Sequence, residues 1–161
     1  MICERASIND LESLVALRMA YLLEDDGTIP EDTYRMIEGR LPAYFQKHLN
    51  EDLLAFVCRQ EGEIAGCCFL YISEKPSNPA FPSGKTGTVL NVYTRPEFRK
   101  KGIAGQLMEM LLKESAQMGL DFVELKATDS GYSLYKKIGF EDVHSKYHPM
   151  KYVLKTRSVS G

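Results

Sequence analysis

Thirty residues, Val89 to Met118, constrain this chain more than any others: VLNVYTRPEFRKKGIAGQLMEMLLKESAQM. An apolar run of β type (Val89, Leu90, Val92, Tyr93) stops at Thr94-Arg95-Pro96. A basic, small-residue turn follows, through Arg99, Lys100, Lys101, Gly102, Ile103 and Ala104. Ile103, Leu107 and Leu111 then recur every fourth residue, flanked by Ala104, Met108 and Leu112, which is the period of an amphipathic helix. Gly119 stands past the last turn, where helices commonly stop. The reading is strand, turn, helix. The first amides of a helix have no partner within it and carry partial positive charge. Gly102 offers no side chain to block an approach, so several N–H groups can converge on one anion, with phosphate the best match. Arg99 and the two lysines add positive charge.

Two common phosphate loops are excluded. Neither G-x-x-x-x-G-K-[ST] nor G-x-G-x-x-G occurs. What stands here is Arg99-x-x-Gly102-x-Ala104. A nucleotide-binding βα unit of another type would also want a ribose-reading acid in a repeated βαβ unit, and none is found.

The flanks supply the other elements. Met1–Ala6 reads as a short strand. Ser7 or Asn9 can cap a helix carrying Leu11, Leu14, Val15, Arg18 and Met19, which runs to about Leu23 before Glu24-Asp25-Asp26-Gly27-Thr28 breaks it. Pro30 opens a second helix (Tyr34, Ile37, Leu41, Tyr44, Phe45, Leu49) that Pro42 kinks or divides. Leu53–Arg59 and Ile64–Ile72 form a hairpin about Glu61-Gly62-Glu63. Ser73–Gly87, with three prolines and two glycines, reads as a loop. Phe122–Ala127 alternates as a strand, Gly131–Ile138 is a short helix capped from Thr128, Asp129 or Ser130, and Glu141–Ser145 and Met150–Leu154 read as two closing strands. The tail from Lys155 to Gly161 is polar and expected to fray.

The Arg99-x-x-Gly102-x-Ala104 turn resembles the R/Q-x-x-G-x-G/A motif of the GNAT superfamily of N-acetyltransferases. The stretch Thr128–Phe140, TDSGYSLYKKIGF, resembles that family's second motif, with Leu134, Tyr135, Gly139 and Phe140 in the L-Y-x-x-x-G-F places. The element order β-α-α-β-β-β-α-β-α-β-β matches the family over nearly the whole chain. The resemblance implies an α/β (α+β) class: a mixed, mostly antiparallel central sheet with helices on both faces, the acyl-CoA N-acyltransferase fold. It also implies a splayed parallel strand pair, joined through a right-handed crossover.

It further implies acetyl-CoA as co-substrate, with the pyrophosphate on Arg99, Lys100, Lys101, Gly102, Ile103 and Ala104. Val92, Tyr93 and Thr94 would pair with the pantetheine arm, and Thr128, Ser130 and Tyr135 would lie beside the cofactor. Thr128 stands where many relatives have asparagine. Tyr135 is the expected acid toward the leaving thiolate, or else a packed tyrosine. A phenol near about 10 is a competent but not strong donor to a thiolate of about 8.5. The expected reaction is direct acetyl transfer to a primary amine of a small molecule or peptide. The alternative is a non-catalytic acyl-CoA sensor or scaffold on the same fold. That alternative is motivated by Thr86–Thr94, which lacks any carboxylate or histidine to act as base. Asn91 could hold a water there. Glu24 or Asp25 could supply a carboxylate to the acceptor, or belong to a solvated loop. Acceptor identity has no motif.

Composition narrows the remainder. With 161 residues and net charge −2, one domain spanning residues 1–161 is expected, without bulk nucleic-acid binding. No apolar run is long enough for a bilayer and no signal pattern opens the chain, so a cytoplasmic protein without membrane association is expected. A homodimer is left open by the resemblance. Cys3, Cys58, Cys67 and Cys68 have no C-x-x-C pairing and, with three histidines, no zinc spacing. No metal is expected, and the cysteines read as buried small apolar residues. His48 is expected to be exposed on the second helix; His144 and His148 read as surface residues, or as flanks of the acceptor pocket.

Overall fold

A computed structural model describes residues 1–155. The expected tail falls almost wholly outside them. One five-stranded sheet runs in chain order: β1 (Ile2–Arg5), β2 (Leu53–Gln60), β3 (Glu63–Glu74), β4 (Lys85–Thr94) and β5 (Val123–Glu124). The first four strands pair antiparallel and β4 pairs β5 in parallel. Alternation sends Cys67 and Phe69 of β3 into one core and Cys68 and Leu70 into the other. On the first face lie α1 (Leu11–Asp26) and α2 (Glu31–His48), which bring Leu14, Leu17 and Phe45. On the second lie α3 (Ile103–Gln117) and α4 (Asp129–Ile138). Ile103, Leu107, Met108 and Leu111 of α3 are fully or almost fully buried. Each such side chain contributes about 1.5–3 kcal/mol relative to exposure.

The β2–β3 hairpin turns on Glu61 (φ 54°) and Gly62 (φ 80°), both left-handed, as a two-residue turn matched to strand twist requires. No described helix is long and apolar enough to cross a membrane.

Several expectations need correction. α1 continues through Glu24, Asp25 and Asp26 to a Gly27 cap whose N–H reaches Leu23 O, so the acidic triplet is the helix's last turn and not a break. Pro42 lies inside a single α2, so it does not divide that helix. The loop before β4 shortens, because β3 runs to Glu74 and β4 starts at Lys85. Cys3 and Cys58, opposite one another on β1 and β2, form a disulfide; only Cys67 and Cys68 are free buried thiols. His48 is half-buried, its Nδ1 2.7 Å from Asp52 Oδ1 and its ring 4.5 Å from Tyr44. His144 and His148 are exposed.

The largest difference is at the C-terminus. Neither Glu141–Ser145 nor Met150–Leu154 forms a strand. β5 keeps only Val123 and Glu124 of the expected Phe122–Ala127. Past Phe140 the described residues lie outside any helix or strand and are all exposed, with Met150 at 93% and Leu154 at 88% of full accessibility.

Candidate active site

β4 is ordinary until Leu90. There the register against β3 slips: Phe69 faces Leu90 but Cys67 faces Tyr93, so Asn91 and Val92 together oppose Cys68. Asn91 supplies the needed left-handed residue (φ 53°), a conformation Asn tolerates better than most residues. On its other side β4 pairs β5 only at Gly87–Val123 and Thr88–Glu124. Val92, Tyr93 and Thr94 therefore lie beyond the paired portion, and a cleft opens between the two strands.

The cleft has a cavity volume of about 560 Å³. The bent β4 contributes Val92, Tyr93 and Thr94 to its wall, the turn contributes Arg99, Lys100, Gly102, Ile103 and Ala104, and α4 contributes Thr128, Ser130 and Tyr135. Glu24 and Asp25 from the end of α1 complete it. All of these were singled out in the sequence. Two others were not brought to this wall. Lys101 points its ammonium over the Phe98 ring, 5.4 Å from the centroid. Asn91 is buried, its Oδ1 accepting from Arg18 Nη1 at 3.2 Å and its Nδ2 donating to Cys67 Sγ at 3.5 Å. Asn91 is thus held on the face of β4 that meets α1.

Gly102 caps α3 in a left-handed conformation (φ 79°, ψ 13°) with no side-chain cap. A Cβ there would meet nothing within 4 Å. The first amides of α3 thus open onto the cleft, with positive partial charge. Lys100 is left-handed too (φ 63°), which bends the turn tightly into the helix.

Arg99 is held in place. Its Nε donates to Thr94 O at 2.8 Å and its Nη2 to Glu24 Oε2 at 2.6 Å, with the guanidinium 5.6 Å from the Tyr93 ring centroid. It ties α1 across the cleft to the turn, and the bond to Glu24 raises its pKa further.

Tyr135 is half-buried, its ring 5.9 Å from Phe140 at 69°. Burial, then Tyr21 and Cys68, push its pKa up to about 12. Thr128 caps α4, its Oγ1 accepting from Gly131 N at 3.2 Å. Gly131 leaves room for the Tyr135 ring: a Cβ there would come 2.8 Å from Tyr135 Cε2, so the ring would have to shift. Sequence reasoning missed Gly131, although a glycine inside a helix's first turn was a signal. It also missed Gly105, the next small residue after Ala104, and Tyr21, which had no signal beyond its place on α1.

A five-stranded sheet opened at its parallel pair, with a bare helix N-terminus below the opening, defines a class of α/β domain shaped for an extended ligand. The acetyltransferase (GNAT) family model matches residues 15–140. The chain belongs to the GNAT acetyltransferase family. A predicted acetyltransferase from Clostridium acetobutylicum, whose crystal structure was solved with acetyl-CoA, superposes with a TM-score of 0.80 at 25% identity, covering 93% of this chain and 95% of that one. A GCN5-related N-acetyltransferase from Ralstonia eutropha gives 0.76 at 26% identity, covering 92% and 97%. An uncharacterised N-acetyltransferase from Chlorobaculum tepidum is 27% identical over 96 residues, 60% of this chain. The chain spans about half (55%) of that curated relative's length.

Proposed function

We propose that this protein is an acetyl-CoA-dependent N-acetyltransferase acting on a primary amine of a small molecule or peptide. The observation that carries the reading is the left-handed, open Gly102 at the mouth of α3, beside a β4 edge freed from β5. Amides of Gly102, Ile103 and Ala104 suit a diphosphate, and Lys100 adds charge. The edge of Val92, Tyr93 and Thr94 offers backbone groups to an extended amide-bearing arm, in the manner of an added strand. The cofactor supplies an activated acetyl thioester.

The acceptor nitrogen bonds to the acetyl carbon, the carbon–sulfur bond breaks, and the amine's proton must go to a base. Asp25 is the best placed carboxylate, on the cleft wall and outside any ion pair among the described residues. Glu24 is engaged by Arg99. Tyr135 acts on the sulfur as a hydrogen-bond donor. With a phenol at about 12, complete transfer to a thiolate of about 8.5 is uphill by roughly 5 kcal/mol at 1.36 kcal/mol per pKa unit. Its proton is stabilising because it is shared. Holding both reactants in one cleft supplies much of the remaining rate.

Titration calorimetry with acetyl-CoA tests the site. Wild type should bind and Gly102→Val, forced into an unfavourable left-handed backbone, should bind at least about ten-fold more weakly. Equal binding would remove the diphosphate cradle. The second reading, a non-catalytic acyl-CoA sensor, draws on the absence of an acid or histidine in Thr86–Thr94. An amine panel read by thiol release separates the two: binding without release for every amine favours the sensor.

A further inference from the structure

Arg18, Tyr21 and Asp25 share one stripe of α1, at helical spacings of three and four residues. Tyr21 and Asp25 line the cleft. Arg18 lies one turn before Tyr21, its Cζ 6.0 Å from that ring's centroid and its Nη1 donating to Asn91 Oδ1 at 3.2 Å. Asn91 immediately precedes Val92, the first cleft-wall residue of β4. The guanidinium therefore stands at the end of the strand edge freed from β5. It is on the α1 face of the sheet, whereas the Gly102 turn opens α3 on the other.

This cation differs from the other half-buried arginines. Arg59 pairs with Glu4 and Asp10, and Arg95 with Glu63. Arg18 forms no ion pair among the described residues. Two acids of its own region are engaged elsewhere, Asp52 by His48 and Glu24 by Arg99. A guanidinium has several N–H donors, and among the described residues only Nη1 is in use. No unpartnered side-chain nitrogen there is sealed from solvent, so Nε and Nη2 can be reached.

Aromatic walls stand around them. Tyr21 is one, and Tyr44 of α2 is another; burial pushes the Tyr44 phenol up, Asp52 and Tyr71 add to that, and Arg18 opposes it. In such partly dry surroundings a cation gains more from an anion than an exposed lysine does. Its planar fork matches two oxygens of a carboxylate or a phosphate.

We infer that Arg18 binds an anionic group of the acceptor, so that the amine acetylated belongs to a small molecule carrying a carboxylate or phosphate a few bonds from its nitrogen. This rests on the acetyl-transfer reading above and narrows it from amines at large to anionic ones. Asp25 stands at one end of the stripe for the amine and Arg18 at the other for the anion, with Tyr21 between. Seven residues of helix rise about 10 Å, a span that two side chains and a short ligand can fill.

Paired acceptors test it: β-alanine against β-alaninamide for the carboxylate, phosphoethanolamine against ethanolamine for the phosphate. Thiol release with acetyl-CoA gives kcat/KM for each, and calorimetry on the coenzyme A-loaded protein gives binding without turnover. Wild type should favour the anionic member of at least one pair by about ten-fold or more, and that pair identifies the anion. Arg18→Gln should bring the ratio close to one, through KM more than kcat. Arg18→Lys keeps the charge and loses the fork, and should fall between. Turnover of both members without preference overturns the inference and leaves acetyl transfer standing. Anion-selective binding that Arg18→Gln abolishes, with no thiol release from any amine, supports the anion site and sinks the transferase reading. Neither binding nor turnover of any probe, a preference that survives in Arg18→Gln, or equal losses on both members of a pair would each overturn the role of Arg18. If Arg18→Gln does not fold, Arg18→Lys decides, and a wild-type ratio in it rejects the inference.

Discussion

Tyr135 is where environment changes the chemistry that residue type suggests. The sequence identified the residue through its L-Y-x-x-x-G-F setting, but an isolated phenol titrates near about 10, and burial moves this one to about 12. Tyr135→Phe should lower kcat about ten-fold or more with little change in acetyl-CoA binding. Because the folded pKa is raised, the hydroxyl stays protonated as pH climbs from 7 to about 11. A kcat/KM profile should show no alkaline fall in that range that disappears in Tyr135→Phe. Gly131→Ala tests the support: its Cβ would press on Tyr135 Cε2, so turnover should drop several-fold while acetyl-CoA still binds. Gly102 was readable because a bare residue at a strand–helix turn has few other uses. The Arg99–Glu24 tie was not, since its partners are 75 residues apart in sequence. Nor was the left-handed Asn91, whose conformation comes from a register slip between strands.

At the level of elements, legibility followed where the hydrogen bonds lie. α3 makes its own backbone bonds and shows its buried stripe as a period, and its observed span, Ile103–Gln117, matches the periodic stretch. Leu107→Ala and Leu111→Ala should each cost about 2–5 kcal/mol, read as a fall in denaturant midpoint. Strands borrow their bonds from neighbours. Alternation in Met150–Leu154 shows which side chains can share a face, and is silent on whether an edge stands beside them; the structure pairs them with none. The acidic end of α1 deceived for another reason: three acids at a helix C-terminus oppose the dipole, so the pattern reads as a break. Arg99 offsets part of that by pairing Glu24. The Cys3–Cys58 bond, closing 55 residues, fastens edge strand β1 to β2. Its reduction should lower stability by up to about 4 kcal/mol and speed amide exchange in Ile2–Arg5 first.

For the whole molecule, the hairpin of β2 and β3 and the parallel pairing of β4 with β5 were foreseeable because local periods and turn signals agreed with one another, while the helix layers on both faces and the splay of that pair were expected from the family resemblance alone. The path of the last fifteen described residues was not, because it depends on what they touch. Tyr135 stands in the wall of both the ligand cleft and the apolar groove behind it. One aromatic ring is thus a shared partition. The Phe140 ring, 5.9 Å from that of Tyr135 and in the wall of the rear groove, braces the partition. Phe140→Ala should therefore give the hydroxyl room to wander from the sulfur and lower kcat several-fold, while acetyl-CoA affinity stays nearly constant. Turnover and titration calorimetry on the same variant would register it, and an unchanged kcat would show that the cleft does not depend on what stands behind its wall.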